Sequence, residues 1–367
     1  MNIRRVKILG AGSIGNHLAN ASRVLGFDVV LCDLDPKALK RTQNEIYPGR
    51  YGKWDPAIQL CELKNAPKGG FDLICIGTPP EYHMPLALEA LDEKPRAVQI
   101  EKPLCPPSLD KAQAVYEKAA AAKVAVFVGY DHAVGKAARK AEEILRAGTL
   151  GEIQTLDVEF REYWGGIFKA HPWLSGPADT YLGFWKRGGG SSGEHSHATN
   201  LWQHLAHLVG AGRVSEVSAS VRYVKDGAAE YDDVCLMNLR TDSGFVGRVV
   251  QDVVTQPVKK VAWIHGKKGS LQWVNGYNKQ GDAIIISMVG QPEPEIIPCP
   301  KTRPDDFIEE LKHIDACLVP STPASPISLQ RGLDTMLAVA AAHLSEREKR
   351  TVKINYSRGY TGAALST

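Results

Sequence analysis

No apolar stretch in the 367 residues approaches the ~18 needed to span a membrane as a helix, so no transmembrane segment is expected. The apolar run near Met1 breaks at Gly10, too early for a signal-peptide core, and the cytoplasm is the expected compartment. Neither sign of charge dominates. Lys and Arg number 44 against 41 Asp and Glu, a net charge of +3, and the basic residues are scattered rather than striped, which argues against a nucleic-acid partner. The seven cysteines (Cys32, Cys61, Cys75, Cys105, Cys235, Cys299, Cys317) are odd in number and include no C-x-x-C pair, so they read as small apolar fillers of a reduced protein rather than a disulfide framework. Internal repeats and long linkers are also lacking. What remains is an ordinary globular composition, 44% hydrophobic and 23% charged, long enough for about two domains at roughly 150 residues each.

The first informative pattern lies at the N-terminus. Val6-Lys7-Ile8-Leu9 reads as a strand, Gly10-Ala11-Gly12-Ser13-Ile14-Gly15 as G-x-G-x-x-G, and Asn16 to Leu25 as a helix. In that context the glycines allow a tight turn, close approach of backbone to a diphosphate, and close packing of helix on strand, with the diphosphate held at the helix N-terminus. A second strand, Asp28 to Cys32, ends in Asp33. An acid there can accept both ribose hydroxyls and would repel a 2′-phosphate, which favours NAD over NADP; the alternative is a turn residue ahead of Asp35-Pro36.

Asp35-Pro36 predicts a capped helix to about Asn44. A short strand and helix are expected near Ala57 to Leu63. Phe71 to Ile76, Ala97 to Ile100 and Val124 to Val128 read as buried strands, and Pro85 to Leu91 and Ser108 to Ala122 as helices. This alternation predicts a doubly wound parallel sheet whose strand ends share one edge. Thr78, Pro79, His83, Glu101, Lys102 and Tyr130 follow those ends and should converge. Lys102 is either a solvated lysine or, between an acid and a proline, part of a site.

Further on, Gly188 to Gly193 is a glycine-rich loop that leads through Glu194, His195, Ser196 and His197 to Asn200 and an apolar-periodic helix. The glycines would let backbone approach a ligand closely, and Glu194, His197 and Asn200 could share one helix face. Tyr163 to Arg187 is rich in aromatics among glycines and prolines: Tyr163, Trp164, Phe168, Trp173, Tyr181, Phe184 and Trp185, with His171, Asp179, Lys186 and Arg187. These rings either stack on sugar faces or form a small core of their own. Lys186 and Arg187 could hold a carboxylate or a phosphate. A metal site from His195, His197, His204 and His207 is not expected, because His195 and His197, two apart, would diverge on a helix.

Taken in order, these segments resemble the glucose-fructose oxidoreductase, inositol dehydrogenase and MocA-like group, the Gfo/Idh/MocA family. The resemblance runs through Gly10 to Gly15 with Asp33, Gly77-Thr78-Pro79-Pro80-x-x-His83, Glu101-Lys102-Pro103, Ala147 to Ile153, the stretch ending in His197, and Gly266 to Leu271. It implies a Rossmann domain, here 1–131, followed by an α/β domain, here 132–367, with a large, mostly antiparallel open sheet for substrate binding and for a homodimer or homotetramer interface. It implies that Lys102 lies near the substrate hydroxyl and the nicotinamide, His197 acts as acid/base, and Glu101 lies near the nicotinamide ribose. The common family pattern has an Asp four before that histidine and another three after it. Gly193 and Asn200 stand there instead, with Glu194 at minus three, which leaves Glu194 and Asn200 as candidates to orient His197.

The second half otherwise predicts a helix over Asp131 to Ala147, strands over Glu152 to Glu162, Val214 to Val224, Val234 to Arg240, Phe245 to Val254, Val258 to His265, Ser270 to Val274 and Ala283 to Met288, and helices over Asp305 to Leu318 and Leu329 to Leu344. The tail from Thr351 gives no signal. The expected activity is NAD-dependent hydride transfer to or from a secondary alcohol of a sugar, polyol or sugar derivative. Lys102, His197 and Glu194 would be catalytic. Gly10, Gly12, Ser13, Ile14, Gly15, Asp33, Thr78, Pro79, His83, Glu101 and Lys102 would hold the cofactor, and Lys102, Tyr130, Trp164, Trp173, Trp185, Arg187 and Asn200 the substrate. An NAD-dependent glycosidase that oxidises transiently, or a nucleotide-sensing regulator, are the alternatives.

Overall fold

The computed structural model describes residues 2–169, 174–319 and 324–367. Strands β1 (Arg5–Leu9), β2 (Asp28–Asp33), β3 (Ile58–Glu62), β4 (Leu73–Ile76), β5 (Ala97–Ile100) and β6 (Ala125–Val128) form one sheet in the order β3-β2-β1-β4-β5-β6, parallel throughout. Every residue of β4 and β5 is buried, as the unbroken apolar run of β4 requires when helices cover both faces, and β5 buries one polar residue, Gln99, with the rest. The strand order reverses between β1 and β4, and this opens a crevice beyond their C-terminal ends.

Helices α1 (Ser13–Val24), α2 (Pro36–Arg41), α3 (Tyr47–Tyr51), α4 (His83–Asp92) and α5 (Ala112–Ala122) connect these strands. Asp35 caps α2 by accepting from the Lys37 amide at 2.9 Å. The helix expected to reach Asn44 stops at Arg41 and widens into a π-turn over Thr42–Ile46 before α3. Pro48, which has no amide proton to return to the Asn44 carbonyl, accounts for the break. The segment near Ala57 to Leu63 holds β3, at the sheet edge, and then only a single 3-10 turn over Leu63–Asn65 in place of a helix.

After α6 (Lys136–Arg146) come β7 (Ile153–Arg161), α7 (Trp164–Lys169), α8 (Gly190–Glu194), α9 (Ser196–Leu208), β8 (Val214–Asp226), β9 (Ala229–Thr241), β10 (Val246–Asp252), β11 (Lys259–Gly266), β12 (Gly269–Asn278), β13 (Gly281–Met288), β14 (Glu295–Pro300), α10 (Arg303–Cys317), α11 (Leu329–Glu348), β15 (Val352–Ile354) and β16 (Leu365–Ser366). The strands form a ten-stranded sheet in the order β14-β13-β12-β11-β7-β10-β9-β8-β15-β16, in which only the β7–β10 pair is parallel. Leu156, Val158 and Phe160 alternate inward from β7, and α9 packs over them, its fully buried Trp202 donating to the Leu156 carbonyl at 2.8 Å. The tail without a sequence signal supplies β15 and β16, and β14 adds an edge whose Pro298 and Pro300 suit a border strand. Helix α10 returns to the first sheet, where Phe307 stacks on His17 of α1 with ring centroids 4.6 Å apart. No described helix is long and apolar enough to cross a membrane.

Candidate active site

The crevice between the two sheets is a cleft of about 490 Å³, lined from one side by Gly12, Ser13, Ile14, Thr78, Pro79, Glu101 and Lys102 and from the other by Glu194, His195, His197, Lys260 and Arg303. The three glycines of the first loop divide the work. Gly10 has φ +106°, and a side chain there would press on the Gly77 carbonyl, 2.7 Å from an added Cβ. Gly15 packs so tightly that a Cβ would overlap the Gly10 carbonyl, whereas nothing lies within 4 Å of a Cβ on Gly12. That open face, at a helix N-terminus with no side-chain cap, is where backbone amides can meet a diphosphate. Asp33 lies behind the loop, its Oδ2 accepting from the Ala11 amide at 2.7 Å and its Oδ1 from the Asp35 amide at 2.9 Å.

His83 is wholly buried away from the cleft surface. Its Nε2 lies 2.7 Å from the Thr78 carbonyl and its Nδ1 3.1 Å from that of Pro103, so it ties the turn after β4 to the turn after β5 instead of facing a cofactor. Burial lowers its pKa to about 4. Glu101, also buried, accepts from Gln99 Nε2 at 2.8 Å, and burial raises its pKa to about 7. The same Gln99 amide reaches Glu310 of α10 at 3.2 Å, and burial, with Glu101 close by, keeps the Glu310 carboxyl well above its ordinary range.

Lys102 crosses the cleft. Its Nζ donates to Glu194 Oε2 at 2.9 Å and to the Glu194 carbonyl at 3.0 Å. Burial alone would raise the Glu194 carboxyl, but Lys102 and His195 beside it hold it below its ordinary value. Glu194 therefore serves the lysine and does not orient His197. Asn200 does not orient it either: it is buried behind the cleft with its Nδ2 3.4 Å from Thr335 Oγ1. The acid nearest to His197 is Asp131, whose Oδ1 lies 3.7 Å from His197 Nδ1 and 3.4 Å from His132 Nδ1. Burial lowers the pKa of His197 well below the ordinary value, with His132 and Lys102 adding to the shift, and brings that of His132 to about 3, so both rings are neutral at pH 7.

The glycines before His197 do not approach a ligand. Side chains at Gly189 and Gly190 would collide with the Tyr181 and Leu182 carbonyls and with Asp232, so they serve close packing of the chain on itself. Asp232 then fixes the loop, accepting from Ser191 Oγ and the Ser192 amide at 2.7 Å each.

The aromatic stretch divides. Trp164 stacks on Phe168 at 5.1 Å and contacts Tyr231 at 5.0 Å in a small separate core, and Trp185 stacks on His343 at 4.6 Å beside a different cavity. Neither lines the cleft, because each is spent on its own aromatic partners. Tyr130 is fully buried, its ring meeting His197 edge-on at 5.6 Å. Arg187 lines the cleft but is held by Glu81 through two 2.6 Å bonds. Trp173 and His171 lie outside the described residues.

Sequence reasoning passed over Asp131, His132, Lys260, Arg303 and Phe307. Asp131 and His132 directly follow Gly129-Tyr130 at the end of β6, one and two residues beyond Tyr130 at the same strand edge. Lys260 and Arg303 come from β11 and the start of α10 and carry no local signal.

A Rossmann sheet whose glycine loop and lysine face an acid and a buried imidazole across one cleft defines a dinucleotide-dependent oxidoreductase. Residues 4–130 match the family model described as an oxidoreductase family with an NAD-binding Rossmann fold, and residues 138–272 match the GFO/IDH/MocA C-terminal domain. The chain belongs to the GFO/IDH/MocA family and is an NAD-binding oxidoreductase. No curated protein is significantly similar to it in sequence. Among solved structures, it is similar to an oxidoreductase from Agrobacterium radiobacter in complex with NAD+, L-tartaric acid and magnesium (21% identity, 96% of this chain and 98% of that one, TM-score 0.75). Levoglucosan dehydrogenase with NADH and levoglucosan gives 17%, 95%, 98% and 0.76, and the WlbA dehydrogenase of Bordetella pertussis with NADH and UDP-GlcNAcA gives 20%, 95%, 98% and 0.69.

Proposed function

We propose that the protein is an NAD-dependent dehydrogenase that moves a hydride between nicotinamide and a secondary alcohol or ketone of a sugar, polyol or sugar derivative. The observation that carries this reading is that Lys102, on the same side of the cleft as the open N-terminus of α1, reaches across to pair with Glu194 in a cleft also lined by His197, beside Asp131. In it, residues 1–131 bind the nucleotide and 132–367 the substrate. Gly12, Ser13 and Ile14 hold the diphosphate, Asp33 the adenosine ribose, and Thr78, Pro79 and Glu101 the nicotinamide end. NAD supplies the hydride acceptor. His197, neutral at pH 7, takes the hydroxyl proton, an effect typically worth about 10²- to 10⁴-fold. Asp131 favours the imidazolium that results and offsets the cost of charging a buried ring. Lys102 donates to the substrate oxygen as negative charge develops on it. The three relatives named above, in complex with levoglucosan, UDP-GlcNAcA or tartaric acid, support a hydroxyl-rich substrate.

The test is an NAD-linked screen of inositols, aldoses, uronic acids and nucleotide sugars that follows NADH absorbance. Turnover on at least one, abolished in Lys102→Met, is expected. Cleavage of a nitrophenyl glycoside with no net NADH from any alcohol would overturn the reading.

A further inference from the structure

Several buried polar atoms of the cleft lack a hydrogen-bond partner among the described residues, Thr78 Oγ1 and His195 Nε2 among them, and three of these atoms face one another. Asp131 Oδ1, His132 Nδ1 and His197 Nδ1 are buried and make no hydrogen bond among the described residues. The Asp131 and His132 side chains are 7% and 9% exposed, and that of His197 12%. All three residues line the cleft. Leaving such groups both buried and unpaired is costly, most of all for a carboxylate.

The cations nearby act on Asp131 only from beyond ion-pair distance, because each has its own acid. Lys102 is paired with Glu194 at 2.9 Å, Lys260 with Glu162 at 2.7 Å, and Lys301 with Asp282 and Asp306 at 2.9 Å each; Arg303 is 3.6 Å from Asp306. Among the described residues, the only basic groups within ion-pair distance of Asp131 are the two imidazoles. A carboxylate oxygen and two imidazole nitrogens thus converge with no cation of their own.

We propose that Asp131, His132 and His197 bind a divalent first-row transition-metal ion of the zinc type, with its remaining coordination positions open to the cleft. A tetrahedral zinc with bonds of about 2.0–2.1 Å sets its ligand atoms about 3.4 Å apart. Asp131 Oδ1 already stands 3.4 Å from His132 Nδ1 and 3.7 Å from His197 Nδ1, and all three ligand atoms lie within 4.8 Å of one another. Two imidazoles and one carboxylate suit zinc, manganese or iron(II) and not an alkali ion. The rings are also held in place: the His132 ring has its centroid 5.4 Å from that of Phe160 and 5.8 Å from that of Trp273, and those two stack on each other, forming an apolar wall behind the ligands. With its Nδ1 on the ion, His197 would keep its proton on Nε2 and would no longer be the base of the reaction proposed above; the ion, by polarising a substrate oxygen, would ease loss of the hydroxyl proton in its place.

The experiment reads metal before any activity. The full chain is stripped with a chelator, equilibrated with ZnCl₂ or CoCl₂ at low micromolar concentration and desalted, and metal is counted by mass spectrometry, with Co²⁺ absorbance reporting nitrogen ligation. One ion per chain is expected, with affinity at least about 100-fold weaker in Asp131→Asn and in His132→Gln, and unchanged in His207→Gln, an exposed histidine on α9. NADH binding, measured on each variant, shows which are folded. The wild-type Co²⁺ spectrum and a zinc-dependent rise in its Tm require no variant. No retained metal, or retention indifferent to Asp131→Asn and His132→Gln, overturns the site. A chain that holds the ion but reduces no NAD would refute the dehydrogenase reading and leave the metal site standing.

Discussion

Lys102→Met separates a lysine that merely closes a salt bridge from one that acts on substrate. In the structure its Nζ makes both of its bonds to Glu194, whose side chain is 20% exposed. Removing one partner of a fully buried ion pair costs about 3–5 kcal/mol. Partial exposure of Glu194 and the nearby His195 and Lys260 reduce this here to about 2–3 kcal/mol. If Lys102 also donates to the developing alkoxide, kcat should fall by about 10²- to 10³-fold. The two effects part in the double variant Lys102→Met/Glu194→Gln, which leaves no unpaired carboxylate. Its thermal unfolding should return close to wild type, while its rate of NADH formation stays as low as that of the single variant. Recovery of turnover along with stability would show that Lys102 acts only by supporting Glu194, and wild-type turnover in Lys102→Met would remove it from the mechanism altogether.

Other positions give sharper single readouts. Gly12→Ala should leave Tm unchanged, since nothing lies within 4 Å of the new methyl, yet weaken NADH binding, whereas Gly15→Ala should lower Tm outright because its methyl overlaps the Gly10 carbonyl. Asp33→Ala should weaken NAD binding by about 10- to 100-fold, the worth of a hydrogen bond to a charged group, and shift preference toward NADP; an unchanged NAD-to-NADP ratio in binding titrations would refute the assignment. His83 has a folded pKa of about 4 against an ordinary 6.5, so its contribution is complete above pH 6.5 and is lost as pH falls toward 4. At about 1.4 kcal/mol per unit, that is at most about 3.5 kcal/mol, and His83→Gln should flatten the acid limb of a Tm-against-pH profile relative to wild type. An identical slope in the two proteins would contradict this.

The parts legible in the sequence were those written in contiguous residues. The glycine loop, the buried strands β4 and β5 and the turn of Glu101-Lys102-Pro103 each announce themselves locally, and parallel topology alone brings their ends to one edge. The partner of His197 does not. Local spacing pointed to Glu194 or Asn200, one turn away, but Lys102 draws Glu194 across the cleft, Asn200 turns to Thr335, and Asp131 arrives from the end of another sheet. The tryptophans show the same limit: periodicity cannot say that Trp185 is already stacked on His343 from α11. The glycines at 189 and 190 were legible as a loop but not in purpose, since their crowding by Leu182 and Asp232 depends on long-range contacts.

In the proposed reaction hydride passes directly from a substrate carbon to nicotinamide and the proton passes to a residue of this cleft. It is tested most directly with the best alcohol from the NAD-linked screen, deuterated at the carbinol carbon, and mass analysis of the nicotinamide product. NADH one mass unit heavier, formed at a rate reduced by the label, is the predicted result. Unlabelled NADH, or deuterium released to water with no reduced nicotinamide, would contradict it.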